Sequence, residues 1–515
     1  MVQNQEVSRG SEIMGHPKGL FILFLTELWE RFSFYGMKAL LIFYLTKYHL
    51  FSDGQGGLIV GSYAFMVYAL PILGGYLADR YIGFRKAVIF GAILLVLGHL
   101  GLAFEGTQAY LDENGNLVQD KMALQAFFFS LSLIIMGVGF LKPNISSIVG
   151  QLYSKNDPRR DAGFTIFYMG INIGAFAATL ICGYLGENYG WRYGFGAAGI
   201  GMIVGLFTFI GGQKHLMGKA EPKNPEILSQ KSFIGLNMET TIYLASIIGV
   251  FVCWGIVQNH RIVEGTLALT SSLVVAYLLW FIIRKCTPEE KGNMIALLIL
   301  TLFTVVFWAL FEQAYTSMNL FADRVVERSS SWGEIPASYF LSLNALFIIL
   351  FAPVFAWMWV KLAKKKMEPG TPVKFGIGIV LAGIGFGALV LGIANVDELG
   401  KVAPFWLVLA YFLHTSGELA LSPVGLSAVT KLSVPRIVGF MMGVWFLATA
   451  ASEYIAGWLA GFASVDTLDG EVADAALALS AYSGLYEFLF YLGIGAGVLL
   501  LILSPMLNRM ISQSN

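Results

Sequence analysis

Two glutamates, an arginine and a lysine stand in the first long apolar run of this 515-residue chain, in Glu27-Leu-Trp-Glu-Arg-Phe-Ser-Phe-Tyr-Gly36 followed by Lys38. Next to a cation a buried carboxylate stays ionised, and when the cation leaves, its hold on a proton tightens. Such a group can trade a proton for an ion pair. At about 100° per residue, Glu27, Glu30, Arg31, Phe34, Tyr35 and Lys38 fall within roughly 140° of a helix circumference. Leu28, Phe32 and Leu40 are left to face lipid or neighbours. Each charge at a membrane centre costs at least about 2.5–3.5 kcal/mol. Four on one face read as the wall of a water-filled cavity; a salt-bridge network that only locks helices is the competing reading. Glu30 beside Arg31 is the first candidate to carry a proton, with Glu27 next. One proton moved through about 100 mV supplies about 2.3 kcal/mol, enough for roughly 50-fold accumulation of a solute. Charges alone leave sodium coupling open.

More charges interrupt later apolar runs. Lys142 precedes Pro143 and Asn144, Glu312 lies in Phe307-Trp-Ala-Leu-Phe-Glu-Gln313, and Glu418 in Ser416-Gly-Glu-Leu-Ala-Leu-Ser422. The first half therefore supplies the cations Arg31, Lys38 and Lys142 beside Glu27 and Glu30, and the second half the acids Glu312 and Glu418. A cavity with a cationic and an anionic side suits a small zwitterion whose charged ends are separated by a polar spacer. Tyr35, Tyr68, Tyr168, Trp308 and Trp445 could wall it, and Asn172 and Asn344 could bond amide groups; simple packing is the alternative for each. Glu453 is a further acid in an apolar run and fits none of these groupings.

The elements that must position these residues are helices. Hydrophobic residues make up 57% of the chain and charged ones 13%, with a mean hydropathy of +0.69; a soluble domain carries roughly 25% charged residues. Apolar runs long enough to cross a bilayer fall near 20–46, 58–78, 87–104, 123–150, 162–185, 193–211, 238–257, 266–283, 293–321, 337–360, 375–394, 403–429, 437–462 and 482–507. The expected fold is an all-α polytopic membrane protein of fourteen spans. It divides into a tail (1–19), a six-helix bundle (20–211), a basic, proline-bearing linker (212–237), a two-helix insert (238–283), a second six-helix bundle (291–507) and a tail (508–515). Two six-helix halves are the usual plan of a carrier with a midplane site. An even count puts both termini on one side. Lys47, Lys121, Arg192, Arg261, Arg324, Arg328 and Lys401 fall in the loops of the other side, and Arg31, Lys38 and Lys142 within spans. Every other one of the 33 Lys and Arg falls on the side of the termini, which places both in the cytoplasm and the chain, as a multi-pass protein, in the inner (plasma) membrane.

Other classes find little support. Zero net charge argues against nucleic acid. Cys182, Cys253 and Cys286 sit in or beside apolar runs without metal or disulfide spacing, and residues 1–19 lack the pattern of a cleaved signal. Leu111-Asp-Glu-Asn-Gly-Asn-Leu117 reads as a turn and not a calcium loop, since the twelfth-position Glu is missing. Gly194–Gly199 has a Gly-x-Gly-x-x-Gly spacing but lies inside a span, where small residues serve helix packing. His99 and His414 are isolated on apolar helices. No enzyme motif is present, and neither a metal nor a bound cofactor is expected.

Glu27-x-x-Glu-Arg-Phe-x-x-Tyr-Gly36 resembles the first-helix signature of the proton-dependent oligopeptide transporters, a branch of the major facilitator superfamily. The likeness continues through Gly74-Gly-Tyr-Leu-Ala-Asp79, Phe140-Leu-Lys-Pro-Asn144, Phe167-Tyr-x-x-Ile-Asn-x-Gly174, Phe307-Trp-x-x-Phe-Glu312, Gly417-Glu-x-x-x-Ser-Pro423 and Gly439-x-x-Met-Gly-x-Trp445. The two-helix insert resembles bacterial members. The resemblance implies a proton-coupled symporter that imports di- and tripeptides by alternating access, with co-transported protons, no bound cofactor, and membrane lipid as its surroundings. It implies that Glu27, Glu30 and Arg31 handle the proton, that Lys142 pairs with Glu418 and Lys38 with Glu312 in gating, and that Arg31, Tyr35, Lys38, Tyr68, Lys142, Tyr168, Asn172, Trp308, Glu312, Asn344, Glu418, Ser422 and Trp445 line the peptide site. Three departures stand out. Position 38 is Lys where many members have Arg, so bidentate carboxylate binding is lost there. Phe34 replaces a frequent second tyrosine. The second span, Leu58 to Asp79, holds no histidine, which shifts proton coupling onto the first-helix acids. Nitrate, a modified amino acid or a cationic drug are alternative solutes; nitrate gives no use to Glu312 and Glu418.

Overall fold

Apolar runs of this length satisfy their backbone groups in lipid only as helices, and helices account for nearly all regular structure in the computed structural model of the chain. It describes residues 12–512 apart from 155–156, 233–234, 332 and 469–470; parts of both expected tails, 1–11 and 513–515, lie outside the described residues. Among the described residues fourteen long helices follow in order: α1 (Lys18–Phe43), α2 (Asp53–Leu77), α3 (Phe84–Leu102), α4 (Lys121–Leu152), α5 (Arg160–Tyr189), α6 (Trp191–Gly212), α7 (Met238–Val257), α8 (His260–Lys285), α9 (Pro288–Phe311), α10 (Ser342–Lys364), α11 (Thr371–Ala394), α12 (Pro404–Leu432), α13 (Val438–Ala460) and α14 (Ala475–Ser512). Strands among the described residues are two-residue hairpin arms only.

Twelve of these helices, with their continuations, are long and apolar enough to cross a membrane. The exceptions, α1 and α12, are interrupted by polar groups: Glu27, Glu30, Arg31 and Lys38 in one, His414-Thr-Ser-Gly-Glu418 in the other. Helix starts follow local chemistry. Before α9, the Thr287 hydroxyl accepts from Glu290 N at 3.3 Å while the Glu290 carboxylate accepts from Thr287 N at 2.9 Å, with Pro288 opening the helix; this reciprocal cap satisfies two orphan donors. Beyond Phe311, α9 tightens into a 3-10 turn, Glu312–Tyr315, and resumes as a short helix, Ser317–Arg324.

Contacts divide the chain into two compact units. The first holds residues 1–37, 70–105 and 125–255; the second holds 38–69, 106–124 and 256–515. The division does not follow the linker: parts of α1, α2 and α4 are counted with the second unit. Nor does it keep the insert together. In the first unit α7 sets Phe251, tilted, and Trp254, edge-on, against Phe129 of α4, and pairs Glu239 with Lys86 of α3 at 2.7 Å. In the second unit α8 sets Tyr277 on Phe440 and Phe281 beneath Arg436. Both insert helices leave large apolar side chains exposed, among them Ile248, Phe251, Leu269 and Leu273, as a lipid-facing helix does.

In the first unit the linker is tied down by Arg85 to Glu221 and by Lys223 to Asp79 at 2.6 Å. These pairs are exposed and contribute little stability, but they fix the path of the chain. The Asp112 carboxylate accepts from Asn116 N at 2.8 Å and Asn114 N at 2.9 Å. The bonds from Asn116 above all hold its carboxyl below the usual range, and the loop is a hairpin turn, Tyr110–Leu111 against Leu117–Val118. Gly199, from the Gly-x-Gly-x-x-Gly stretch, lies against Leu100 of α3, where a Cβ would come within 2.9 Å.

Candidate functional site

The first unit builds its charged cluster on one turn of α1. Arg31 Nη2 donates to Glu30 Oε1 at 2.8 Å, Nε donates to Glu30 Oε2, and Nε lies 3.2 Å from Glu27 Oε1. Spacing of one and four residues brings all three together on one face, and all are buried. The guanidinium also lies over the rings of Phe34 and Tyr35, at 5.2 and 5.9 Å. Phe34 thus keeps the ring of the tyrosine it replaces. Leu28 is half-buried, and Phe32 and Leu40 face neighbours: α1 is covered all round at this level.

Two motifs explain how α1 is seated. On α5, Gly174 lies where a Cβ would strike the Leu28 carbonyl and the Arg31 side chain, and Gly170 lies beneath Phe24. The Phe167–Gly174 stretch is therefore a docking face for α1. Within it Asn172 is buried and donates to the Tyr168 carbonyl at 3.1 Å, while Tyr168 is exposed. Phe140–Asn144 and Gly74–Asp79 meet as well: Gly74 packs on the Gly139 backbone, and Asn144 donates to Phe140 O at 2.6 Å and Gly74 O at 3.4 Å. Lys142, between Gly139 and Asn144 on α4, is half-buried.

The second unit gathers its charges on Lys38. The ammonium donates to Glu312 Oε2 at 2.9 Å and lies 3.2 and 3.3 Å from the two oxygens of Glu453, with the Tyr315 ring 4.2 Å away. Glu312 is aimed there because α9 tightens at that residue. The turn is anchored by Gln313, which donates to Ala456 O at 3.0 Å and accepts from Ser317 at 2.6 Å, and Asn319 donates to Ala39 O at 2.9 Å beside Lys38. Glycines do the rest. Gly57 of α2 and Gly457 of α13 touch backbone to backbone, and a Cβ on Gly61 would come within 3.1 Å of the Glu453 carbonyl. Glu453 stands out in the sequence, but its partner does not. An acid alone in the middle of an apolar run was the available signal.

Glu418 accepts from Asn344 Nδ2 at 2.9 Å, and Asn344 also reaches Thr415 at 3.1 Å. Asn344, expected to bond amide groups, is here engaged in holding the acid. Ser422 follows one turn beyond Glu418, half-buried like Tyr68 and Trp308. Trp308 packs edge-on against Phe307 and Phe311. Trp445 is buried over Gly425 and beside Phe375. A further ion pair joins Arg324 to Asp53 at the start of α2, and Lys47 pairs with Asp323 at 2.7 Å. These charges look like loop residues in the sequence, and their pairing was not legible there.

Both units thus present the same charge motif, one cation with two carboxylates: Arg31 with Glu27 and Glu30, Lys38 with Glu312 and Glu453. Among the described residues no group of three or more His, Cys, Asp or Glu is placed to hold a metal ion. His414 bonds the Ala382 carbonyl at 3.0 Å.

Residues 85–475 match the model of a family described as the POT family. The chain is 40% identical to an uncharacterised transporter, YclF, of Bacillus subtilis, over 96% of this chain and 95% of that one. It is 37% identical to a di-/tripeptide transporter of Lactococcus lactis subsp. lactis, over 86% and 88%. A solved structure of a peptide transporter POT in complex with sulfate superposes with a TM-score of 0.79 at 36% identity, covering 97% of this chain and 96% of that one.

Proposed function

The chain belongs to the POT family, and from that membership we propose that it is a proton-coupled symporter importing di- and tripeptides by alternating access. It is a membrane transporter and not an enzyme. The observation that carries the reading is the Arg31 cluster, in which one guanidinium holds two buried carboxylates on α1. A peptide carboxylate that competes for Arg31 releases Glu27 and Glu30 to take a proton. Binding of peptide and proton are then linked, and the linkage is the coupling.

Recognition follows from charge. The peptide carboxylate is drawn to Arg31, Lys142 and Lys38, its ammonium to Glu312 and Glu418, and the side chains meet Tyr35, Tyr68, Tyr168, Trp308 and Trp445. Asn172, Asn344 and Ser422 supply polar contacts or hold the acids that make them. Lys38–Glu312 and Lys142–Glu418 act as gating pairs, broken and remade as access alternates. Retention of all the acids disfavours nitrate, which has no cationic end for Glu312 and Glu418 to bind. In this reading all fourteen long helices span the inner (plasma) membrane, both termini are cytoplasmic, lipid surrounds the helices, and transport requires no bound cofactor or metal. Adding a dipeptide to vesicles that hold the protein should drive protons inward with the peptide, recorded by an internal pH dye; free alanine should give no signal. A dipeptide that moves no protons would refute coupling.

A further inference from the structure

Lys38 is the cation that two acids share. Its ammonium is 2% exposed as a side chain, Glu312 9% and Glu453 4%, so none of the three has water enough to pay for an unbalanced charge. Two ionised carboxylates and one ammonium leave a surplus negative charge in a site of low dielectric. The least costly resolution is a proton on one acid. Lys38 selects which: it lies 2.9 Å from Glu312 and 3.2–3.3 Å from Glu453, so Glu312 keeps the ionic partner.

We propose that Glu453 is a further proton-binding residue of the transport cycle, beside the acids of the Arg31 cluster. The inference rests on the symport reading above. While Lys38 and Glu312 stay closed on one another, Glu453 holds a proton; when the site opens to water the surplus charge is no longer costly, and the proton leaves. The other ionisable groups around the pair are Tyr68 of α2, Tyr315 of the turn after α9, Glu418 of α12 towards Glu312 and, on α8 against the neighbouring Tyr454, Glu264. None is a second cation that could take over from Lys38. The backbone contact of Gly57 with Gly457, and of Gly61 with the Glu453 carbonyl, fixes the height of Glu453 against α2. Its carboxylate therefore has little freedom to seek another partner.

The test counts protons. Full-length protein and its Glu453→Gln variant are reconstituted in liposomes, and the membrane potential at which labelled dialanine flux reverses is measured across a set pH difference. The expected result is one proton fewer per peptide in the variant. Equal ratios in the two proteins overturn the proposal. If the parent protein moves dialanine without protons, the symport reading itself fails, and that outcome is seen in the parent alone. If Glu453→Gln carries no flux, Glu453→Asp decides. Flux with the parental ratio and a displaced pH midpoint supports proton binding at this position; absent flux or an unmoved midpoint makes Glu453 a packing residue.

Discussion

Asp53, the first residue of α2, accepts from both terminal nitrogens of Arg324, at 2.6 and 2.8 Å. Both side chains are buried, Tyr482 lies 3.3 Å from the same guanidinium, and Asp53 also accepts from Val465 N at 3.2 Å. Removing one member of such a pair strands the other in a site without water, which costs about 3–5 kcal/mol. Asp53→Asn should therefore lower the thermal unfolding temperature of the purified protein clearly. Adding Arg324→Gln should recover part of the loss, because no stranded charge then remains. An Asp53→Asn protein that melts with the parent would show that the pair contributes nothing.

Glu30→Gln removes the acid that takes two bonds from Arg31. Gradient-driven peptide uptake should be abolished, while counterflow exchange, which needs no net proton movement, stays partly active. Comparing both assays on one preparation separates coupling from folding. Equal loss in the two would point to binding or misfolding instead.

Glu418 and Lys142 make a sharper case for coupling between positions. Each single change to Ala should weaken transport, and Glu418→Ala also leaves Asn344 without its acid. If the two residues act as a gating pair, the double variant should lose less than the two singles combined. Additive losses would mean that they work independently.

Gly457 has no room for a side chain, since a Cβ there would meet the backbone of Gly57 and the Cα of Gly61. Gly457→Val should force α2 and α13 apart. Overpacking of this kind costs about 1–3 kcal/mol, and the shift should also displace Glu453 from Lys38. A lower unfolding temperature together with weakened uptake is expected; a fully active, parent-like protein would mean that the helix contact is dispensable.

Most of the helices were legible because lipid leaves a long apolar run few alternatives. The ends were less so: α14 begins at Ala475, before its expected span near 482, because residues 475–481 are mostly strong helix formers and the Asp474 carboxylate accepts from Ala476 N and Leu477 N to cap them. The Arg31 cluster could be read from spacing, since helix geometry alone brings residues one and four apart onto a common face. Glu312 beside Lys38 came from the family likeness and not from geometry, as no local rule links positions so distant in the chain. Glu453 shows the limit. Its burial was evident from the surrounding apolar residues, but its partner depends on a glycine contact between α2 and α13 and on a tightened turn after α9. Asn344 and Trp445 show a related limit: residue type marked them as fit for a ligand, whereas packing gives one to Glu418 and seats the other over Gly425.

The most direct test of the account is uptake of labelled dialanine into liposomes holding the purified protein, with and without an inward proton gradient. Gradient-driven accumulation is expected, competed for by unlabelled di- and tripeptides but not by free alanine. Failure of dialanine to accumulate, while nitrate or an amine moves with protons, would contradict the assignment of peptides as the substrate.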